Sequence, residues 1–292
     1  PKNMRLGLAM RCLSILSLFL LAQCSPTDVL NAVTPTKSIK SIETHSYGPE
    51  PRQALDVYAP ASPKDGAPVL VFFYGGSWES GEKGDYKFVA EAFTSAGYTA
   101  VLPDYRVYPE VIYPTFLEDA ASAVAWTTKR FPQRPIALIG HSAGGHIALM
   151  LGLDTPFLGQ ANVARCETIV ATAALSAPVG IMPLKREPYI SIFPDRMTAK
   201  DAPLRNVSAK TAPVLLMTGL KDTSVLPANS EKIAAALTDA GAEVQLTTYP
   251  DMKHADTAKY LSHFFDEDAS LRADLLTFLE QAAQQSAPYC NP

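Results

Sequence analysis

The sequence predicts an α/β fold in which helices cover both faces of one mostly parallel sheet. Two observations lead to this prediction. Short apolar runs rich in β-formers alternate along the chain with segments of helical spacing, as expected when helices join parallel strands. Several runs, such as Val69–Phe73, are also continuously apolar. Continuous apolar runs are typical of strands that are buried on both faces of a sheet.

The individual elements follow from local patterns. Residues 54–59 alternate apolar and polar side chains, which predicts a half-exposed strand. Further strands are predicted at 69–73, 98–102, 136–139, 168–175, 214–217 and 244–248. Glycine or proline ends the first two predicted helices, 85–96 and 115–131. The other helices are predicted directly after the turn 140–144, running to about residue 154, and at 228–240 and 271–281.

Length and composition favour one domain. The chain has 292 residues, of which 47% are hydrophobic, and can therefore bury one sizeable core. We predict a single domain over residues 53–288, with an irregular, proline-rich insert at 177–212 as a candidate lid. The net charge is −4 and lysines and arginines are not clustered, so binding to nucleic acid is not favoured. The sequence leaves the oligomeric state open.

The first 23 residues are predicted to be an export signal. A positively charged start precedes the apolar stretch 12–22, which is too short to span a bilayer. Residues 21–25 resemble a bacterial lipobox in which Cys24 is lipidated, although Gln23 departs from that motif. We therefore expect an exported bacterial protein, either periplasmic or held at a membrane surface by a lipid anchor. An ordinary secretory signal is the alternative, and residues 24–52 are predicted to be a tether.

Two cysteines remain after the signal. Cys166 and Cys290 could pair in an oxidising compartment and attach the C-terminal tail to the domain. Two unrelated thiols are the alternative, because sequence spacing does not test disulfide geometry.

The chemistry begins at the turn between the strand 136–139 and the helix that follows it. Gly140-His-Ser-Ala-Gly144 is a G-x-S-x-G motif in strand–turn–helix context, which is a nucleophile elbow. Such a turn exposes the serine hydroxyl above the sheet, and its glycines leave room for neighbouring backbone. Ser142 is therefore the candidate nucleophile.

A serine hydroxyl needs a base and a group that orients the base. Asp222 and His254 each lie just past the end of a predicted strand, 214–217 and 244–248 respectively. Because the carboxyl ends of parallel strands share one edge of the sheet, both side chains are expected near Ser142. Asp251 is the rival acid, but it lies very close to His254 in sequence.

Developing negative charge on a reacting carbonyl needs backbone N–H donors. Ala143, which follows the candidate nucleophile, is predicted to supply one donor. Gly76 and Ser77, which follow the strand 69–73, are predicted to supply the others. Other polar groups are assigned structural roles: Arg106 and Asp119 as an ion pair, and His141 and His146 as packing residues. No cluster of metal ligands occurs, and no cofactor is implied.

Two motifs resemble one known family. Tyr74-Gly-Gly-Ser-Trp78 resembles the H-G-G-x-W loop of the carboxylesterase and lipase branch of the α/β-hydrolase superfamily. Gly140–Gly145 matches the elbow of that branch, and Asp104-Tyr-Arg106 with Pro109-Glu110 is also typical of it. The resemblance covers roughly residues 53–285 and implies the α/β-hydrolase fold.

The family's pattern is matched with two exceptions. The chain order of Ser142, Asp222 and His254 is that of α/β-hydrolases. Tyr74 replaces the usual histidine, so its supporting hydrogen bonds are expected to differ. Ser77 replaces the third glycine and narrows the acyl site, but neither change removes a backbone donor.

The resemblance implies hydrolysis of small-molecule carboxylic esters through a covalent acyl-enzyme. Ser77 and an insert of modest length favour short acyl chains, and Trp78, Tyr189 and Phe193 are the candidate pocket residues. Two alternatives remain open: an amide hydrolase of the arylformamidase type, and a catalytically inactive binding module of the cell envelope.

Overall fold

The computed structural model describes residues 26–180, 187–194 and 202–284. The predicted signal (1–23) and Cys24 lie outside these residues, as do Cys290 and parts of the 177–212 insert.

One eight-stranded sheet, in the order β1-β2-β4-β3-β5-β6-β7-β8, forms the centre of the described protein. Its strands are β1 (Ile39–Ser46), β2 (Ala54–Pro60), β3 (Val69–Phe73), β4 (Thr99–Pro103), β5 (Ile136–His141), β6 (Ile169–Leu175), β7 (Val214–Gly219) and β8 (Val244–Tyr249). The β1–β2 and β2–β4 pairs are antiparallel, and the other pairs of this sheet are parallel. The predicted mostly parallel sheet is confirmed.

The longer helices precede, connect or follow these strands. They are α1 (Pro26–Val33), α2 (Lys87–Ser95), α3 (Thr115–Arg130), α4 (Ala143–Gly152), α5 (Ala228–Asp239) and α6 (Ser270–Gln284). Single-turn helices lie at Phe157–Gln160, Arg165–Thr168, Tyr189–Ile192 and Asp256–Lys259, and 3₁₀ turns at Lys83–Tyr86, Pro203–Arg205 and His263–Asp268. Among the described helices, none has the length and apolar character needed to cross a membrane.

The prediction of a tether over 24–52 is wrong for its described part. This part contains α1 and β1, and β1 pairs with β2 at the antiparallel edge of the sheet. Every residue of β1 is exposed or half-buried. An edge strand with so little burial carries polar residues on both faces, so it lacks the apolar alternation that reveals a strand in sequence.

The centre of the sheet is buried on both faces. All residues of β3, β4 and β5 are buried, as the continuous apolar runs predict. The ten residues of α4 are buried as well, so this helix is enclosed in the core rather than lying on the surface. The turn between β5 and α4 is therefore held by a buried strand on one side and a buried helix on the other.

Candidate active site

The turn between β5 and α4 holds Ser142 in a strained conformation. Its φ is 54°, in the left-handed region that side chains rarely adopt. A Cβ atom at Gly140 would overlap the backbone of Gly144, and one at Gly144 would overlap the carbonyl oxygen of Phe73. The Ser142 N–H donates to the carbonyl of Leu175 at the end of β6 (2.9 Å). Close backbone packing thus keeps the serine side chain at the carboxyl edge of the sheet.

Two hydrogen bonds connect Ser142, His254 and Asp222. His254 Nε2 lies 2.9 Å from Ser142 Oγ, and His254 Nδ1 lies 2.8 Å from Asp222 Oδ2. An ionised carboxylate only accepts, so the Nδ1 proton belongs to this bond and Nε2 is left to accept from the serine hydroxyl. The structure therefore brings together the three side chains that the sequence predicted.

The carboxylate of Asp222 is fully buried and held by backbone donors. Its Oδ1 accepts from the N–H groups of Ser224 (2.9 Å) and Val225 (2.8 Å), while Oδ2 faces His254. These donors stabilise a carboxylate and fix its orientation. Asp251 is 88% exposed and pairs with Lys221 at 2.6 Å. The geometry thus places Asp222, and not the rival Asp251, against the imidazole.

The loop after β3 approaches the elbow closely. Gly76 has a φ of 128°, and a Cβ atom at Gly75 would lie only 3.1 Å from that of Ser142. No hydrogen bond from the N–H of Gly76 or Ser77 to another described residue is seen. Ala143 is the first residue of α4, so its N–H has no carbonyl partner within the helix. All three predicted donors lie on the two segments that flank the Ser142 hydroxyl.

Tyr74, at the start of this loop, is held by hydrogen bonds to three other residues. Its hydroxyl accepts from Arg52 Nη2 (2.9 Å) and donates to Asp104 Oδ1 (3.0 Å), and its carbonyl accepts from the Tyr105 hydroxyl (2.7 Å). Arg52 also donates to the Gly81 carbonyl at the far end of the loop. Burial raises the pKa of Asp104, while hydrogen bonds from the Lys83 N–H and the Tyr74 hydroxyl oppose the rise. The tyrosine that replaces the family's histidine is therefore fully hydrogen-bonded.

A cleft of about 550 Å³ opens beside Ser142. Its lining residues are Ser77, Trp78, Ser142, Ala143, Pro178, Gly180, Tyr189, Thr223, Ser224, Val225, Asn229 and His254. The hydroxyl and amide groups of 223–229 were not predicted to line the cleft, although their place directly after Asp222 was a usable signal. A second cavity, of about 210 Å³, lies beside the first residues of β7 and β8, at the opposite end of the sheet from this chemistry.

Trp78 is both a residue of the cleft wall and a residue of the core, two roles that the sequence could not distinguish. It lines the cleft, yet only 4% of its surface is exposed. Its ring meets Phe193 edge-on, with centroids 4.8 Å apart, and Tyr189 at 6.2 Å. Phe193, predicted as a pocket residue, does not line the cleft, because it packs behind Trp78. Tyr189 does line it, and its hydroxyl lies 3.4 Å from Ser77 Oγ.

Two buried histidines flank the site. Burial lowers the pKa of His141 to about 4 and that of His146 to about 3. His146 lies one turn after Ser142, with its ring edge-on to Trp78 (5.2 Å). Both groups are neutral near pH 7, as expected for packing residues.

The two other pairings predicted from the sequence have different outcomes. Arg106 and Asp119 form the expected ion pair, with Nη2 and Oδ1 2.7 Å apart. Cys166 is disulfide-bonded, but its predicted partner Cys290 lies outside the described residues, so that pairing stays a prediction.

The chain is similar to several known proteins. A family model described as BD-FAE matches residues 55–177, from β2 to just past β6. The chain is 29% identical, over 238 residues, to a probable isoprenylcysteine alpha-carbonyl methylesterase of Oryza sativa subsp. japonica. This match covers 72% of the chain but only 56% of that relative, so the chain spans about half the relative's length.

Two further matches cover more of the matched protein's length. The chain is 26% identical to kynurenine formamidase of Danio rerio, with 80% of each protein covered. The crystal structure of esterase B from Lactobacillus rhamnosis superposes with a TM-score of 0.74 at 18% identity, covering 95% of this chain and 96% of that one. At 18% identity this structural similarity shows a shared fold and nothing more.

Proposed function

We propose that the chain is a carboxylesterase-like member of the α/β-hydrolase superfamily, a serine hydrolase that cleaves carboxylic esters. The observation that carries the proposal is the pair of hydrogen bonds from His254, 2.9 Å to Ser142 Oγ and 2.8 Å to Asp222 Oδ2, at the edge of an open cleft. A serine turn with a structural role needs neither bond. The named relative is a methylesterase, which supports ester rather than amide bonds as the principal substrate.

The proposed reaction has two halves. Ser142 Oγ attacks the ester carbonyl while His254 Nε2 takes its proton, and Asp222 stabilises the imidazolium that forms. The N–H groups of Gly76, Ser77 and Ala143 hold the negative oxygen of the tetrahedral intermediate. His254 returns the proton to the leaving alcohol, which leaves the acyl group on Ser142. Water, activated by the same imidazole, then releases the acid and restores the hydroxyl.

We infer a preference for short acyl chains. Ser77 adds a hydroxymethyl group beside the elbow, where its oxygen lies 3.4 Å from the Tyr189 hydroxyl. Trp78, with Phe193 behind it, forms a closely packed aromatic wall on this side of the cleft. A long chain would need these rings to move, whereas an acetyl or butyryl group would not.

Amide hydrolysis is the second candidate, because the kynurenine formamidase likeness covers 80% of both proteins. A panel of p-nitrophenyl esters from acetate to palmitate, assayed beside an N-formyl arylamine, separates the candidates. We expect the highest kcat/KM for acetate or butyrate, and turnover at least tenfold slower for the formamide. A faster formamide reaction would favour the second candidate. No turnover of any compound would favour the inactive binding module.

Export and lipid anchoring remain a separate proposal, supported by residues 1–25 alone. If Cys24 is acylated, the full-length protein should fractionate with membranes and the Cys24→Ala variant should not. Equal distribution of the two proteins would contradict the lipid anchor.

A further inference from the structure

His141 connects the three segments that make up the proposed site. It occupies the second position of the elbow, directly before Ser142, and is buried. Its Nε2 lies 3.0 Å from the backbone carbonyl oxygen of His254, 113 residues away. The two imidazole rings lie 4.9 Å apart. A residue expected only to pack beside the turn therefore contacts the loop that carries the proposed base.

The hydrogen bond fixes the state of the His141 ring. A carbonyl oxygen only accepts, so Nε2 must carry the proton and Nδ1 must be bare. Nδ1 is buried and has no hydrogen-bond partner among the described residues. A Cβ atom at Gly75 would come within 3.1 Å of Nδ1, so this side of the ring faces the loop after β3 (residues 74–78), here called the oxyanion loop. The imidazole thus lies between the oxyanion loop and the loop after β8 that carries His254.

A second donor reaches the same carbonyl from within the loop after β8, three residues further along the chain. Thr257 Oγ1 lies 3.0 Å from the His254 oxygen and 3.1 Å from Ser176 Oγ. The Thr257 hydroxyl is the donor in both contacts, and both the carbonyl oxygen and Ser176 Oγ can accept its proton. Ser176 and Thr257 are fully buried, and Ser176 follows the end of β6. The His254 carbonyl therefore has two donors: His141 at the end of β5, and Thr257, which also contacts Ser176 after β6.

We propose that His141 is a positioning residue, which holds the backbone of His254 so that its imidazole stays in line between Ser142 and Asp222. The loop after β8 has no strand neighbour beyond it in the described sheet, where β8 is the last strand. Without an anchor, rotation about this backbone would move Nε2 away from Ser142 Oγ. A displacement of about 1 Å at a reacting group costs roughly 100-fold in rate. Binding of the ester, which this carbonyl does not contact, should be unaffected.

Two amide substitutions test this role, which rests on the proposed ester hydrolysis. In His141→Gln the side-chain amide can place an N–H near the position of Nε2, whereas in His141→Asn it ends near Nδ1 and does not reach the carbonyl. Hydrolysis of p-nitrophenyl acetate should fall by about 10- to 100-fold in kcat for Asn, with KM unchanged, and by less than about fivefold for Gln. Melting temperatures measured beside the assays separate loss of fold from loss of position.

Thr257→Val provides a second, near-isosteric variant that removes the other donor. Its kcat should fall in the same direction with KM unchanged. Equal activity of the Gln and Asn variants, or losses that follow the melting temperatures alone, would overturn the proposal.

The outcome is separable from that of the proposed function. If the wild type hydrolyses the ester and His141→Asn does so equally well, only the positioning role fails. If the wild type hydrolyses no ester, the rate at which a fluorophosphonate labels Ser142 replaces kcat as the readout, and equal labelling of the wild type and His141→Asn would also reject the role.

Discussion

The imidazole of His254 lies 2.9 Å from the hydroxyl of Ser142, although 112 residues separate them along the chain. The two side chains meet because β5 and β8 belong to one sheet whose intervening pairs are all parallel. Their carboxyl ends therefore share an edge, and a loop from each end carries one partner. The contact between Ser142 and His254 therefore depends on the parallel arrangement of these strands as well as on the two residues.

Asp222 and Asp251 offer a matched pair of substitutions. Asp222→Asn should lower kcat by up to roughly 10⁴-fold, because an amide can donate to Nδ1 and stabilise the wrong tautomer of His254. Asp251→Asn changes an exposed residue paired with Lys221 and should leave kcat within about twofold. Steady-state ester hydrolysis by both variants is the measurement. A greater loss in the Asp251 variant would reverse the assignment of the acid.

Tyr74→Phe should weaken the support of the oxyanion loop. The change leaves Asp104 without one donor and Arg52 without one acceptor in a buried network. We expect the free energy of unfolding to fall by about 1–3 kcal/mol and kcat to fall as well. Tyr98→Phe is the control, since its buried hydroxyl has no partner among the described residues. Chemical denaturation of both variants checks this, and equal stabilities would argue against the network.

The elbow should not accept a methyl group at Gly144. A Cβ atom there would overlap backbone atoms of Phe73 and Tyr74, so Gly144→Ala should destabilise the fold by about 3 kcal/mol or more. At Gly159 a Cβ atom meets nothing within 4 Å, and alanine there should be neutral or slightly stabilising. Thermal unfolding compares the two variants. A Gly144→Ala protein as stable as Gly159→Ala would show that the turn is less constrained than described.

Stability should decrease with acidification because of His146. Its folded pKa of about 3 lies below the usual value of 6.5, so the unfolded chain binds a proton that the native state excludes. The stabilisation is present above pH 6.5 and is lost as the pH falls towards 3. Between pH 7 and pH 5 this one group should remove about 2 kcal/mol from the free energy of unfolding.

His146→Leu isolates that contribution. The variant should lose less stability than the wild type over the same pH interval, as measured by urea unfolding at pH 7 and pH 5. Because His141 is also buried and neutral, part of the pH dependence should remain in the variant. Identical pH dependence in both proteins would mean that His146 is not the responsible group.

The sequence predicted most of the sheet because central strands are buried on both faces and therefore continuously apolar. It missed β1, whose edge position leaves a polar pattern with no period. The positions of Ser142, Asp222 and His254 could be predicted because each follows the end of a parallel strand. His141 could not be recognised in the same way, since its partner is a backbone carbonyl, and a backbone carbonyl leaves no trace in sequence. Phe193 was misplaced because an aromatic residue in an irregular insert gives no sign of which side of Trp78 it will occupy.

Mass spectrometry of the native protein after reaction with a fluorophosphonate tests most directly whether Ser142 is an activated nucleophile. Activation of Ser142 by His254 predicts one phosphonyl adduct, located on Ser142, whose formation parallels the loss of ester hydrolysis. Ser142→Ala should remain folded, form no adduct and lose several orders of magnitude in ester turnover. An unlabelled Ser142 in the folded wild-type protein, or full ester turnover by Ser142→Ala, would contradict the role of Ser142 as the nucleophile.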